Sequence, residues 1–131
     1  MNAQSGTQPS VLVVEDDVHI AHVLVFMLEY QGWRVTHAAD GRAAVQHVTT
    51  GPAPDLVLLD VMLPWVDGFE VLEQIRAQDG WQTTPVIMLT AKNTERDSLR
   101  ALEAGASDFI IKPFQPQELL ARLRRYLDRA G

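Results

Sequence analysis

Asp55-Leu56-Val57-Leu58-Leu59-Asp60 is a short, unbroken apolar run bounded by two acidic residues. Such a run is typical of a strand that is buried on both faces, as in the middle of a parallel sheet. Asp60 stands where this strand ends, and open α/β sheets bind their ligands at the carboxyl ends of the strands. A carboxylate in that place is partly desolvated and needs a cation or strong donors to stay ionised. Asp60 is therefore the first candidate functional residue.

Four more short apolar runs flank this stretch, and segments with helical spacing of apolar residues separate them. The predicted strands are residues 11–14, 34–37, 56–59, 86–89 and 109–111. The predicted helices are about 18–30, 42–49, a third ending near 78, 94–104 and 116–129. On the first helix Val23 is among the residues expected to face inward. On the fourth helix Leu99 and Leu102 are expected to pack inward and hold the helix in place.

Strict alternation of five βα units requires a parallel sheet with right-handed crossovers and helices on both faces. The predicted fold class is α/β, a doubly wound (βα)5 sheet of the flavodoxin-like kind. The strand order 2-1-3-4-5 is taken from known folds of this kind and is not deduced from the sequence.

The composition predicts a single globular domain. The chain has 131 residues, 47% of them apolar and 21% charged, and we expect a flexible tail over residues 1–10 and one domain over 11–129. No apolar stretch is long enough to span a membrane and no signal peptide is recognisable, so no membrane association is expected. The absence of cysteine favours a reducing, cytoplasmic location.

The net charge of −6 argues against direct nucleic-acid binding. The part of the sequence that most resembles a basic cluster is a group of four arginines near the C-terminus. On a final helix they are expected to complement the helix dipole. They are Arg122, Arg124, Arg125 and Arg129.

Polar residues follow four of the five predicted strands. Glu15 and Asp16 follow the first, Asp60 the third, Thr90 the fourth and Lys112 the fifth. Because the ends of parallel strands share one edge, these side chains are expected to converge. Each one alone is more often a cap, a turn former or a surface charge, whereas together they indicate a site.

Clustered carboxylates without cysteine favour a hard cation such as Mg²⁺. With Lys112 and the Thr90 hydroxyl nearby, such a site could stabilise phosphoryl transfer. An aspartate at this position could then form an acyl phosphate.

The segments VLVVEDD (11–17), LVLLDVMLPWVDG (56–68), PVIMLTA (85–91) and GASDFIIKPF (105–114) resemble the receiver domain of two-component response regulators. The resemblance covers residues 11–127. It implies that Asp60 accepts a phosphoryl group from a sensor histidine kinase, a phosphotransfer protein or a small phosphodonor, and that the protein catalyses only its own phosphorylation and dephosphorylation.

The resemblance also implies roles for the other residues. Asp16 and Asp60 would be Mg²⁺ ligands, with Glu15 acting through water and the backbone carbonyl of Met62 completing the metal site. Lys112 would bind the phosphoryl oxygens, with a cis peptide to Pro113. Thr90 and Phe109 would form the switch pair, Thr90 moving towards the phosphoryl group and Phe109 turning inward behind it.

Several residues depart from the family's common pattern. Phe109 replaces a frequent tyrosine, and Ser107 replaces a frequent aspartate. Trp65 stands where a small residue is usual, and it either narrows the mouth of the pocket or only packs on the surface. Met62 and Lys92 occupy variable positions that tune dephosphorylation in this family.

The last helix resembles that of receivers that dimerise through a face formed by the fourth helix, fifth strand and fifth helix. The charged residues Asp108, Glu118 and Arg122 fit that face. Arg96 and Ser98, however, break the charge pattern expected there. A homodimer face and a solvated charged face are therefore both open. The histidines are expected to be surface or packing residues; they are His19, His22, His37 and His47.

Three other functions compete with the phosphorylation-controlled switch. A small aspartyl-phosphate phosphatase would need a second carboxylate just after the nucleophile, where Val61 and Met62 stand. A flavodoxin-like carrier would need a phosphate-binding loop in place of the acidic residues that follow the first strand. A pseudo-receiver would act by constitutive protein binding. The switch is either a stand-alone domain or the N-terminal part of a longer regulator.

Overall fold

The computed structural model describes residues 8–91 and 95–130. Ten elements alternate strictly between strand and helix. They are β1 (Ser10–Val14), α1 (Val18–Tyr30), β2 (Arg34–Ala38), α2 (Gly41–Thr50), β3 (Leu56–Asp60), α3 (Gly68–Ala77), β4 (Val86–Thr90), α4 (Glu95–Glu103), β5 (Asp108–Ile111) and α5 (Pro116–Ala130). The predicted elements are confirmed, with ends that differ by one or two residues.

The five strands form one parallel sheet in the order β2-β1-β3-β4-β5. This confirms the predicted fold class and strand order. β1 and β3 are neighbours, with Val14 opposite Leu59, so the residues that follow these two strands lie side by side. The winding direction reverses between them, which is where doubly wound sheets place their sites.

The strand side chains alternate between two apolar cores, one on each face of the sheet. On one face Leu12, Val57 and Met88 belong to the cluster that includes buried residues of α2, α3 and α4. On the other face Val13, Leu58 and Leu89 belong to the cluster that includes buried residues of α1 and α5. All five residues of β3 are buried, as its unbroken apolar run predicts.

Aspartate side chains begin three of the helices. Asp17 accepts hydrogen bonds from the backbone N–H groups of His19 and Ile20 at the start of α1. Asp40 caps α2 in the same way, and Asp67 forms a reciprocal capping box with Glu70 at the start of α3. These caps satisfy N–H groups that have no partner inside the helix.

The predicted tail ends earlier than residue 10. Ser10 is the first residue of β1, and its N–H donates to the Asp55 carboxylate at 2.8 Å. The Pro9 carbonyl accepts from the Arg34 N–H at 2.8 Å. The rest of the predicted tail, residues 1–7, lies outside the described residues.

The inward positions predicted on two helices are wrong. Leu99 and Leu102 of α4 are 54% and 47% exposed, and among the described side chains of α4 it is Ala101 that packs in the core. Val23 of α1 is likewise 53% exposed, while Leu24 and Leu28 are fully buried. A small residue such as Ala101 marks the side of a helix that lies closest to its sheet, and apolar spacing alone does not identify it. None of the helices in the described ranges is long and apolar enough to cross a membrane.

The exposure of Leu99 predicts that it contributes little to stability. We expect Leu99→Ala to change the free energy of unfolding by no more than about 0.5 kcal/mol. Leu123→Ala, which empties a fully buried position of α5, is expected to lower it by about 2–5 kcal/mol. Urea unfolding followed by circular dichroism measures both. A loss of several kcal/mol in Leu99→Ala would contradict the packing of α4.

Candidate functional site

The carboxyl edge of the sheet brings the predicted site residues together. Glu15 follows β1, Asp60 ends β3, Thr90 ends β4 and Lys112 follows β5. Glu15, Asp60 and Thr90 are buried, with exposures of 1%, 3% and 6%. Asp16 is exposed at the rim. Convergence follows from the parallel order, because each strand delivers its last residue to the same edge.

Lys112 connects two buried carboxylates. Its Nζ donates to Glu15 Oε1 at 3.0 Å and to Asp60 Oδ2 at 3.1 Å. The peptide bond between Lys112 and Pro113 is cis. Since Lys112 is itself partly buried, these charge-assisted bonds are much less screened than those of a surface ion pair.

The loop after β3 holds the other oxygen of Asp60. The Met62 N–H donates to Asp60 Oδ1 at 3.1 Å. The start of α3 lies directly against this turn, because Gly68 donates its N–H to the Val61 carbonyl at 3.0 Å. A Cβ at residue 68 would lie 2.4 Å from the Asp60 carbonyl oxygen, so only glycine allows this approach. The Asp60 carboxylate is therefore fixed through both of its oxygens.

Burial and the neighbouring Asp60 carboxylate raise the pKa of Glu15 from 4.5 to about 7, against the opposing effect of Lys112. The Asp17 N–H also donates to Glu15 Oε2, at 3.2 Å. Burial alone would lower the pKa of Lys112, but its hydrogen bonds to Glu15 and Asp60 raise that pKa overall. Lys112 is thus a positive charge at neutral pH, and the Glu15 carboxyl titrates near pH 7.

Carboxylate oxygens of Glu15, Asp16 and Asp60 lie within 4.8 Å of one another. A group of oxygen ligands without sulfur or imidazole suits a hard divalent cation. Like charges at this separation repel each other, and a cation between them would relieve the repulsion. The residues present therefore fit the metal that the sequence predicts.

Thr90 and Phe109 line one cavity of about 450 Å³ beside the acidic cluster. Phe109 is half-buried and packs against the core cluster on the α2, α3 and α4 side of the sheet. Its backbone carbonyl accepts from Arg122 Nη1 at 2.9 Å. The two residues predicted as a switch pair thus border the same space.

Trp65 lies in the loop that follows β3, and its ring contacts α2. Its φ of 67° is rare for a bulky residue. The Val66 N–H donates to the Pro64 carbonyl at 2.8 Å, which makes a tight γ-turn with Trp65 at its centre. The Arg42 guanidinium lies 4.7 Å from the centre of the indole ring. Lys92, the other predicted tuning position beside Met62, lies outside the described residues.

The residues of the predicted dimer face interact within one chain. Arg122 Nη1 donates to Asp108 Oδ1 at 3.2 Å, and Arg122 Nη2 lies 3.9 Å from Glu118 Oε2. Ser98 is half-buried, and the side chain of Arg96 is outside the described part of the chain.

Sequence reasoning missed several contacts around the site. The Arg100 guanidinium lies 3.9 Å from the centre of the Phe69 ring, and His37 Nε2 lies 2.8 Å from the Glu15 carbonyl oxygen. The predicted surface histidine therefore also contacts the backbone of a site residue. These pairs join residues far apart in the chain, and no local pattern marks them.

A family model described as the response regulator receiver domain matches residues 11–124. The sensory transduction protein RegX3 of Mycobacterium tuberculosis is 43% identical over 122 residues, which are 93% of this chain and 52% of RegX3. The phosphate regulon transcriptional regulatory protein PhoB of Escherichia coli K12 is 41% identical over 119 residues, which are 91% of this chain and 52% of PhoB. The chain thus spans about half the length of these two relatives.

A solved structure has the same architecture. The receiver domain of a sensor histidine kinase from Pseudomonas aeruginosa PAO1 aligns with a TM-score of 0.84 and 36% identity, covering 92% of this chain and 98% of that one. In that protein a magnesium ion is coordinated in the active-site cleft.

The raised pKa of Glu15 predicts a pH-dependent stability in metal-free buffer. The folded state holds the Glu15 proton up to a pH of about 7, whereas the unfolded chain releases it near 4.5. The contribution to stability is therefore fully present below pH 4.5 and is lost as the pH rises through 7. Urea unfolding of wild type and Glu15→Gln, with EDTA, measures it. Equal pH slopes in the two proteins over this range would contradict the prediction.

Proposed function

This chain belongs to the response regulator receiver domain family, and we propose that it is a phosphorylation-controlled signalling switch whose phosphoryl acceptor is Asp60. The observation that carries the proposal is the Lys112 bridge. A buried aspartate that ends the central strand accepts a hydrogen bond from an ammonium group at 3.1 Å. A carboxylate nucleophile must be unprotonated and fixed in place, and this arrangement supports both.

The protein's own residues can prepare Asp60 for attack on phosphorus. The Met62 N–H fixes Oδ1 and Lys112 fixes Oδ2. As the phosphoryl group arrives, its oxygens bring negative charge into a buried site, and the Lys112 ammonium is the nearby cation that offsets it. The Thr90 side chain lies at the end of the adjacent strand, where its hydroxyl can donate to a phosphoryl oxygen.

Mg²⁺ is the proposed cofactor, with Glu15, Asp16 and Asp60 as the acidic residues that would hold it and the Met62 carbonyl as a further ligand. Bound there, it would neutralise the carboxylates and the incoming phosphoryl charge. The acidic cluster described above supports this assignment. Because Glu15 titrates near 7, Mg²⁺ binding would displace its proton.

The proposed donors are the phosphohistidine of a sensor histidine kinase or phosphotransfer protein and small phosphodonors. A second cavity of about 530 Å³ supports a protein donor, since it lies beside Lys112 and is lined mainly by apolar groups. Val23, Pro113 and Phe114 border it, and Val23 is exposed. An apolar surface next to an ionic acceptor suits a helical partner that places a single phosphohistidine over Asp60.

The output is the face formed by α4, β5 and α5. We propose that phosphorylation favours one arrangement of Thr90 and Phe109, because the phosphoryl group adds acceptors that interact with one conformation more than the other. Phe109 belongs to β5, and its backbone contacts Arg122 of α5. A change at Phe109 thus reaches this face directly, where it controls a partner protein or an effector domain.

Mass spectrometry of the intact protein tests the proposal. After incubation with acetyl phosphate and Mg²⁺, wild type is expected to gain one phosphoryl group, because Asp60 is positioned as the nucleophile. Removal of Mg²⁺ with EDTA is expected to abolish the gain. Asp60→Asn, which keeps the shape of the side chain, should gain nothing.

A gain that persists in Asp60→Asn would place the acceptor elsewhere. No gain in wild type with any donor would indicate a pseudo-receiver that acts by constitutive binding. Both results would contradict the proposal.

The phosphorylated form is also proposed to dimerise through the α4, β5 and α5 face. Leu99 and Leu102 supply exposed apolar surface on α4, and β5 and α5 carry the ion pairs of Arg122 with Asp108 and Glu118. A second copy is the proposed occupant because the face combines both charge signs with apolar residues and is therefore self-complementary.

Size-exclusion chromatography with light scattering tests the dimer. Wild type treated with acetyl phosphate and Mg²⁺ is expected to double in mass, and Leu102→Glu is expected to stay monomeric because it buries a charge in the interface. Phe26→Glu on α1 makes the same change in charge at a position that is 69% exposed, and it should dimerise like wild type. A phosphorylated wild type that remains monomeric would refute the dimer and leave the acceptor chemistry untouched.

A further inference from the structure

The Arg100 guanidinium lies over an aromatic ring, and its hydrogen-bonding groups have no protein partner within the described part of the chain. It lies in the last turn of α4, and its guanidinium carbon is 3.9 Å from the centre of the Phe69 ring in the first turn of α3. A guanidinium that stacks on a ring keeps its N–H donors at the edge of its plane, and these donors match carboxylate and phosphate oxygens. The stack therefore orients a cation without neutralising it.

The cavity beside the acidic cluster also borders Arg100. Asp16 and Thr90 line it beside Asp60, and Phe69 and Arg100 line it as well. Much of the remaining wall is apolar and includes Val61, Leu63, Met88 and Ala101. A molecule whose phosphoryl group reaches Asp60 would extend into this space, towards a guanidinium that is already in place.

The division of charge at the site indicates what Arg100 binds. Lys112 forms ion pairs with Glu15 and Asp60, so it lies where the phosphoryl group of a donor would bind. Arg100 has no such carboxylate within the described residues, and a cation in this position suits a second oxygen-bearing group on the same molecule. A small acyl phosphate has that form, since its acyl group is joined to phosphorus through one oxygen and carries a second, carbonyl oxygen.

We propose that Arg100 binds the acyl end of small acyl phosphate donors and receives the carboxylate that leaves; this inference rests on the proposed function of Asp60. An Asp60 carboxylate oxygen forms the new bond to phosphorus. The bond between phosphorus and the acyl oxygen breaks, and its electron pair leaves with that oxygen, so the acyl group departs as a carboxylate. No proton is required, and the negative charge develops on the group that Arg100 binds.

Two donors with different leaving groups separate this role from a structural one. Acetyl phosphate releases acetate, an anion, whereas phosphoramidate releases ammonia, which a guanidinium does not bind. Arg100→Met keeps a long unbranched side chain at this position and removes the charge. It is expected to slow phosphorylation of Asp60 by acetyl phosphate about tenfold and phosphorylation by phosphoramidate less than about twofold.

The matched control is Arg34→Met, which makes the same change in net charge at the first residue of β2, the opposite end of the sheet from the site. It is expected to behave like wild type with both donors. Arg100→Lys keeps the charge and loses the planar fork, and it should fall between wild type and Arg100→Met. The wild-type rate with acetyl phosphate should decrease more steeply with salt than that of Arg100→Met, because the attraction between the ions is screened.

Rates are measured from the phosphorylated fraction by intact mass, and the thermal midpoint of each variant is recorded. An acetyl phosphate rate in Arg100→Met equal to that of wild type would overturn the inference and leave the proposed function standing. Equal losses with both donors would also overturn it, since they indicate a structural role. Wild type that reacts with neither donor would refute the proposed function itself, and this inference with it.

Discussion

The Lys112 ammonium lies 3.0 Å from Glu15 and 3.1 Å from Asp60, and it joins residues that are 97 and 52 positions away in the chain. This bridge forms only if β1, β3, β4 and β5 are parallel and adjacent in the observed order, because Lys112 must reach across the end of β4. Two buried carboxylates side by side would otherwise repel each other or bind protons. The bridge from Lys112 to both carboxylates thus depends on the topology of the sheet, the register of its strands and the identity of the residue that follows β5.

The loop after β3 is fixed from several directions at once. Gly68 lies against the Asp60 carbonyl, the capping box of Asp67 starts α3, and Arg42 packs on Trp65 from α2. A tryptophan at positive φ is unfavourable by roughly 1–2 kcal/mol compared with glycine. These contacts hold the loop in which the Met62 N–H donates to Asp60. Rigid support of this kind is what a site needs when its hydrogen bonds must already be aligned before the substrate arrives.

Most of the fold and the acidic cluster could be predicted from the sequence, and for the same physical reason. Buried strands of a parallel sheet are short apolar runs, and a polar residue directly after each run must lie at the carboxyl edge, so Asp60 and Lys112 could be placed together without coordinates. The strand order itself came from analogy. The sequence failed on α4, where Leu99 and Leu102 are apolar but exposed and Ala101 is buried. Contacts between distant residues, such as Arg100 on Phe69, leave no periodic signal at all.

β5 lies at the edge of the sheet and connects the site with the surface of α5. β5 has a neighbouring strand on one side only, so some of its backbone groups lack strand partners. Arg122 donates a hydrogen bond to one of these groups, the Phe109 carbonyl, and also forms an ion pair with Asp108. On its other side the Lys112 N–H donates to the Thr90 carbonyl at 2.7 Å. Hydrogen bonds therefore connect Thr90 through one short strand to Arg122, and the proposed displacement of Thr90 would follow this connection. Because Arg122 is already satisfied within its own chain, an ion pair with a second copy would replace an existing one and add little net free energy. The stabilisation of a dimer would then come mainly from apolar contacts such as those of Leu99 and Leu102, and the charges would determine its orientation.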